Sequence, residues 1–122
     1  MRRAVIWGRE VEMQGSPYTF LVFREGFGGD LAAFLVATYQ KDIPETEDYL
    51  RIAWAMAKTH DPAVPAYTDW LKGFSEFSLR GDSPIGVIDS AIAAELFCQR
   101  KAGKARKRFG RWLGRVSKRL IP

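Results

Sequence analysis

Between Ser16 and Leu31 the chain spells out one helix and the opening of the next. Ser16 is placed to accept from the first free amides, and Pro17 takes the first helical position, where a missing N–H costs nothing. Phe20, Phe23 and Phe27 follow at helical spacing. Gly28 suits the left-handed conformation that closes a helix without a side-chain clash, and Asp30 stands where it would cap a second helix from Leu31. Nothing in the stretch carries catalytic chemistry; it describes helices held together by aromatic side chains.

Upstream, Ala4-Val5-Ile6-Trp7 and Glu10-Val11-Glu12-Met13 read as two short strands around a Gly8-Arg9 turn, with Val11 and Met13 on one face. Downstream, Pro44 with Glu45, Thr46, Glu47 and Asp48 sets negative charge at a helix start, and Asp61-Pro62 ends that third helix about four turns later. Pro65 opens a fourth helix whose Trp70, Leu71, Phe74 and Phe77 recur at three and four residues, with Arg80-Gly81-Asp82 as its closing turn. Ser83-Pro84 repeats the cap-plus-proline start, and Ile85, Ile88, Ala91, Ile92 and Leu96 form the apolar stripe of a fifth. The expected class is α+β, mainly α: a short N-terminal β-hairpin followed by about five helices, with Phe27 and Trp70 in the core.

Of the 122 residues 47% are hydrophobic, enough for one core and too few for two. The charge divides sharply. Residues 100–122 hold ten basic side chains and no acidic one, whereas the other 99 residues hold nine basic and 14 acidic. We therefore read residues 1–99 as the folded body and 100–122 as a basic tail with two readings, a solvated and partly disordered segment or a helix that orders on contact. Taking ~100° per residue, Phe109, Trp112, Leu113, Val116 and Leu120 fall within roughly 100° of arc, opposite Lys107, Arg108, Arg111, Arg115, Lys118 and Arg119, with Arg106 just before them. Gly110 and Gly114 each cost about 1 kcal/mol against alanine, so this amphipathic helix is marginal by itself. Its apolar stripe is a candidate partner-binding surface, and its seven cations, Arg106 included, a candidate anionic surface. Three contacts fit it: the acidic body of its own or a neighbouring copy, an apolar groove on a partner, or nucleic acid or anionic lipid.

Catalytic machinery is hard to assemble from this chain. His60 is the sole histidine and lies at a helix end, where it favours the dipole or stays in solvent. Glu45, Glu47 and Asp48 cluster at a helix N-terminus, where capping accounts for them. Gly26, Gly28 and Gly29 follow a helix instead of a strand and lack the Gly-Lys-Ser/Thr of a phosphate loop. Cys98 is the single cysteine, so neither an internal disulfide nor a cysteine metal cluster can form within one chain, and it reads as a small buried apolar residue. The expectation is a protein without enzymatic activity, cofactor, metal or small-molecule substrate. Trp7, beside the hairpin turn, has two readings: an anchor for a partner, or a ring packed back on the first helix. No apolar run approaches the ~20 residues of a bilayer span and no signal-peptide pattern opens the chain, which suggests the cytoplasm.

The order of pieces, a hairpin with a Gly-basic-Glu turn, an aromatic helix ending in Phe27-Gly28, an Asp30-Leu31 start, the helix Leu50-Arg51-Ile52-Ala53-Trp54-Ala55-Met56-Ala57-Lys58 and then Asp69-Trp70-Leu71-Lys72-Gly73-Phe74, resembles the tail assembly chaperones of long-tailed bacteriophages and prophages. It covers roughly residues 5 to 96; Gly26 and the basic C-terminus depart from the pattern. The resemblance implies a cytoplasmic protein of the bacterial host that escorts the tape-measure protein, the tail-tube subunit or both during tail assembly and is absent from the finished particle. In that family a programmed frameshift often yields a longer second product. The alternative, from the tail alone, is a small protein that binds nucleic acid through ten cations or lies on a membrane surface through Phe109 and Trp112. Aromatic and basic content also allow self-association.

Overall fold

Two consecutive residues with positive φ, Trp7 at 46° and Gly8 at 77°, fold the N-terminus back on itself. Positive φ at both central positions is the signature of the two-residue turn whose twist matches that of paired strands. The turn is thus Trp7-Gly8, one residue earlier than the sequence suggests. It joins β1 (Arg2–Ile6) to β2 (Arg9–Met13) in an antiparallel pair whose register runs from Arg2 opposite Met13 to Ile6 opposite Arg9. The pleat sends Ile6, Val11 and Met13 into the core. On the other face Arg3 bridges Glu10 and Glu12, each at 2.9 Å.

The computed structural model describes residues 1–79 and 83–97. Five helices follow the hairpin: α1 (Pro17–Phe27), α2 (Leu31–Gln40), α3 (Thr46–His60), α4 (Tyr67–Lys72) and α5 (Ile85–Glu95). The fold is α+β and mainly helical. The α1 start is a capping box, with Ser16 Oγ accepting from the Tyr18 amide (3.2 Å) and Thr19 Oγ1 from the Ser16 amide (3.1 Å). It ends at Gly28, φ 81°, whose amide donates to the Arg24 carbonyl. Asp30 caps α2 through the Ala33 amide at 2.9 Å.

The centre of the fold is α3. From Asp48 to Ala57 every residue but Arg51 is buried, because the hairpin and all four other helices pack around it. A helix apolar on most sides can be stable only in such a position. On α1 the buried arc is Thr19, Val22 and Phe23. Of the three phenylalanines on that helix Phe23 is buried and Phe27 half-buried, whereas Phe20 is turned to solvent. The stripe at three and four residues therefore does not face the core as a unit. Ile88, Ala91 and Ile92 of α5 are fully buried, flanked by Ile85 and Leu96.

The fourth helix is shorter than its periodicity suggests. It ends at Lys72 with Gly73, and residues 74–79 form neither helix nor strand, so Phe74 and Phe77 do not belong to it. Glycine followed by aromatic and serine residues supports helix poorly. The hairpin also competes for this segment: the Trp7 indole N–H donates to the Ser78 carbonyl (3.1 Å), and Arg9 donates to the Trp70 carbonyl (3.3 Å). The proposed closing turn Arg80-Gly81-Asp82, Cys98 and the whole basic tail lie outside the described residues. Among the described residues no helix is long and apolar enough to cross a membrane.

Candidate interaction surfaces

A continuous row of rings connects α1 to the hairpin turn. Phe23 meets Phe27 at 5.0 Å between centroids, Phe27 meets Trp54 at 5.3 Å and Tyr67 at 5.1 Å, Tyr67 stacks on Trp70 at 6.4 Å, and Trp70 meets Phe74 at 4.9 Å. Trp7 closes the row, edge-on to Phe74 at 6.1 Å and Phe77 at 5.1 Å. The Arg9 guanidinium lies over Phe74 at 4.9 Å. Trp7 therefore packs on the segment after α4, not on α1. It is half-buried, and its own backbone carries the positive φ that non-glycine residues rarely adopt.

Around Trp7 lies the first apolar surface. Val5, on the outer face of β1, is 61% exposed, Phe77 is 70% exposed and Val87 of α5 is 37% exposed. These residues, with Pro84 and the Trp7 ring, line one open hollow, and Glu76 stands at its edge. The second apolar surface is the outer side of α1. Tyr18, Phe20 and Leu21 are 50%, 44% and 37% exposed, and Pro17, Phe20, Leu21 and Arg24 line a shallow hollow that runs to Gly28. Tyr18 and Leu21, one turn apart, with Phe20 beside Leu21, form a short apolar ridge without a partner among the described residues. Their pattern was visible in the sequence only as the complement of the buried arc: Phe20 and Leu21 fall on the side of the helix away from Thr19, Val22 and Phe23.

The ionisable groups that sequence reading singled out hold the fold together. His60 Nε2 lies 2.8 Å from Glu12 Oε2, tying the end of α3 to β2. Glu47 pairs with Arg51 one turn on at 2.8 Å, and the buried Asp48 carboxylate accepts from Lys41. Glu45 sits at the N-cap of α3 but makes no side-chain cap bond; it reaches Lys41 at 3.2 Å. Pairing with Arg51 and Lys41, more than capping, is what Glu47 and Asp48 do. Among the described residues no group of three or more His, Cys, Asp or Glu side chains is placed to hold a metal ion.

Buried phenols are the unexpected feature. The Tyr39 hydroxyl donates to Asp89 and links α2 to α5. Burial first, then that hydrogen bond and the Asp89 charge, push the Tyr39 phenol far above its ordinary range. Burial likewise raises Tyr49, and it lifts Tyr67 to about 12. A phenol whose folded pKa exceeds its unfolded value near 10 stabilises the fold fully below pH ~10, and that stability is lost as pH rises through the folded value. Lys41, raised by its bonds to Asp48 and Glu45, acts in the same direction. We expect the melting temperature to hold steady up to about pH 10 and then fall steeply toward pH 12, with a shallower fall in Tyr39→Phe. Circular-dichroism melts across that range check it, and a flat profile would contradict the burial of these hydroxyls.

No protein-family model matches the chain, and neither the curated proteins nor the solved structures show a significant similarity to it.

Proposed function

We propose that this protein is a tail assembly chaperone of a long-tailed bacteriophage or prophage, acting without enzymatic activity in the bacterial cytoplasm by covering apolar surface on the tape-measure protein, the tail-tube subunit or both. The order of elements on which the resemblance rests supports this reading: a hairpin, a helix ending in Phe27-Gly28, an Asp30-capped helix, the Leu50–Lys58 helix and the Trp70 helix. The observation that carries it furthest is the hollow around Trp7, where Val5, Phe77 and Val87 leave apolar area in solvent beside a braced indole. Apolar residues scattered singly on a surface need no explanation, but a contiguous patch marks a binding site. Long helical or unassembled subunits expose side chains that aggregate, and an open apolar hollow masks them reversibly.

The test is co-expression of the full chain with the tape-measure polypeptide, and separately with the tail-tube subunit, encoded beside its gene. One of the two should remain soluble and co-purify. Phe77→Asp together with Val87→Asp should abolish capture while leaving the chaperone folded, at a cost of about 0.5–1.5 kcal/mol for the lost Trp7–Phe77 ring contact. Failure to capture either subunit, together with retardation of DNA by the full chain, would transfer the function to the basic tail. Capture that survives the double substitution would remove the Trp7 hollow from the proposal.

A further inference from the structure

We infer that the basic C-terminal segment docks on its own body, with the stripe Phe109, Trp112, Leu113, Val116 and Leu120 laid along the outer face of α1 over Tyr18, Phe20 and Leu21. Three observations converge on this pairing. The first is where the described chain ends. Glu95 and Leu96 press against Gly15, so closely that a Cβ at Gly15 would stand 2.3 Å from the Glu95 carbonyl oxygen and 2.9 Å from Leu96 Cδ2. The Gly15 amide donates to Glu95 Oε1 at 3.2 Å, and the N-terminal amine reaches the same carboxylate at 3.3 Å. The chain is thus pinned two residues before Pro17, at the very start of the exposed α1 ridge. Residues 98–108 reach at most about 36 Å, more than the length of α1 at ~1.5 Å per residue.

The second observation is chemical fit. The outer face of α1 offers Tyr18 and Leu21 one helical turn apart with Phe20 beside Leu21, and the C-terminal stripe brings apolar side chains at three- and four-residue spacing to meet them. Gly110 and Gly114, costly in an isolated helix, lie together on the Leu113 side of the stripe on the helical wheel and allow close approach of a second helix there. The third is charge. The described residues carry 13 acidic side chains against eight basic ones, whereas residues 100–122 carry ten basic and no acidic. Opposite net charges on two parts of one chain favour their contact, and exposed Glu25 and Asp30 stand at the far end of the ridge. A short tether raises the effective concentration to the millimolar range, so a modest apolar contact suffices. Docking covers a different face from the Trp7 hollow and does not depend on any client protein.

A spin label tests this in the full chain. Cys98→Ser with Ser117→Cys places one nitroxide beside the stripe without altering it. Amide NMR signals of residues 18–24 should be strongly broadened, with Val5, Phe77 and Val87 spared. Leu21→Asp, a change in an already exposed side chain, should remove the broadening without lowering the melting temperature. A mixture of isotope-labelled chain lacking the nitroxide and unlabelled chain carrying it should show none. Broadening around Trp7, broadening only in the mixed sample, broadening that survives Leu21→Asp, or none anywhere would overturn the inference.

Discussion

Trp70→Ala is expected to destabilise the protein by about 3–5 kcal/mol, a large share of the roughly 5–15 kcal/mol that holds a domain of this size together. The indole is 1% exposed. It stacks on Tyr67, meets Phe74 edge-on and lies 5.9 Å beneath the Arg9 guanidinium. Removing it opens a cavity at the point where α4, the segment after it and β2 converge, and it breaks the row of rings that leads to Trp7. A urea titration should show the midpoint shifted with little change in slope, and a thermal melt should fall by more than about 10 °C. A loss below about 1 kcal/mol would mean that the site collapses around the gap or that Trp70 is not core. Phe27→Ala, at a half-buried position, should cost less than Trp70→Ala.

The second large effect is expected at Trp54, and it explains the glycine that looked misplaced. Trp54 is 3% exposed, and its indole N–H donates to the Pro65 carbonyl at 2.8 Å. Alanine there should cost about 3–5 kcal/mol, because the cavity is joined by an unpaired carbonyl. Gly26 on α1 lies against the same ring: a Cβ would stand 2.7 Å from Cζ3 and 2.8 Å from Cη2. Helix propensity favours Gly26→Ala by about 1 kcal/mol, while forcing a methyl into a packed ring costs about 1–3 kcal/mol. In the wild-type background the substitution should therefore be destabilising. In the Trp54→Ala background the obstacle is gone and the same substitution should become stabilising by about 1 kcal/mol. A double-mutant cycle reads the reversal directly. If Gly26→Ala has the same sign in both backgrounds, the Trp54 ring is not what keeps position 26 a glycine.

Local signals identified most of the elements because they act over a few residues. Ser16-Pro17, Gly28 and Asp30 mark the ends of α1 and the start of α2, and each does so through hydrogen bonds or φ values that involve only near neighbours. Asp61 ends α3 for the same reason. Periodicity failed where two fates compete for one segment. Phe74 and Phe77 keep helical spacing with Trp70, yet a hydrogen bond from Trp7 across 71 residues of sequence holds the chain after Gly73 in another course. Phe20 failed for a different reason: it shares an arc of roughly 60° with Phe23 and Phe27 but lies at the solvent edge of the buried face, and Thr19, bound into the capping box, and Val22 take the buried places on the other side of Phe23.

The candidate surfaces were less legible than the fold. Trp7 stood out as an aromatic beside a turn, but its neighbours Val5, Phe77 and Val87 come from three separate parts of the chain. The apolar stripe from Phe109 to Leu120 was legible at once, because its periodicity needs nothing but itself. The ridge we assign to receive it was not, since an exposed face is defined by what the rest of the molecule leaves uncovered.

Sequence alone determined the mainly helical class, the N-terminal hairpin, the number of helices and most of their boundaries, and the separation of an acidic body from a basic tail. These follow from backbone hydrogen bonding, glycine and proline geometry and net charge, all short-range or additive properties. Only the tertiary structure decided which side of α1 is buried, why position 26 lacks a side chain, where α4 stops and which apolar side chains remain in water. Those outcomes depend on packing between residues far apart in sequence, where a ring or a carbonyl from another element occupies the space first.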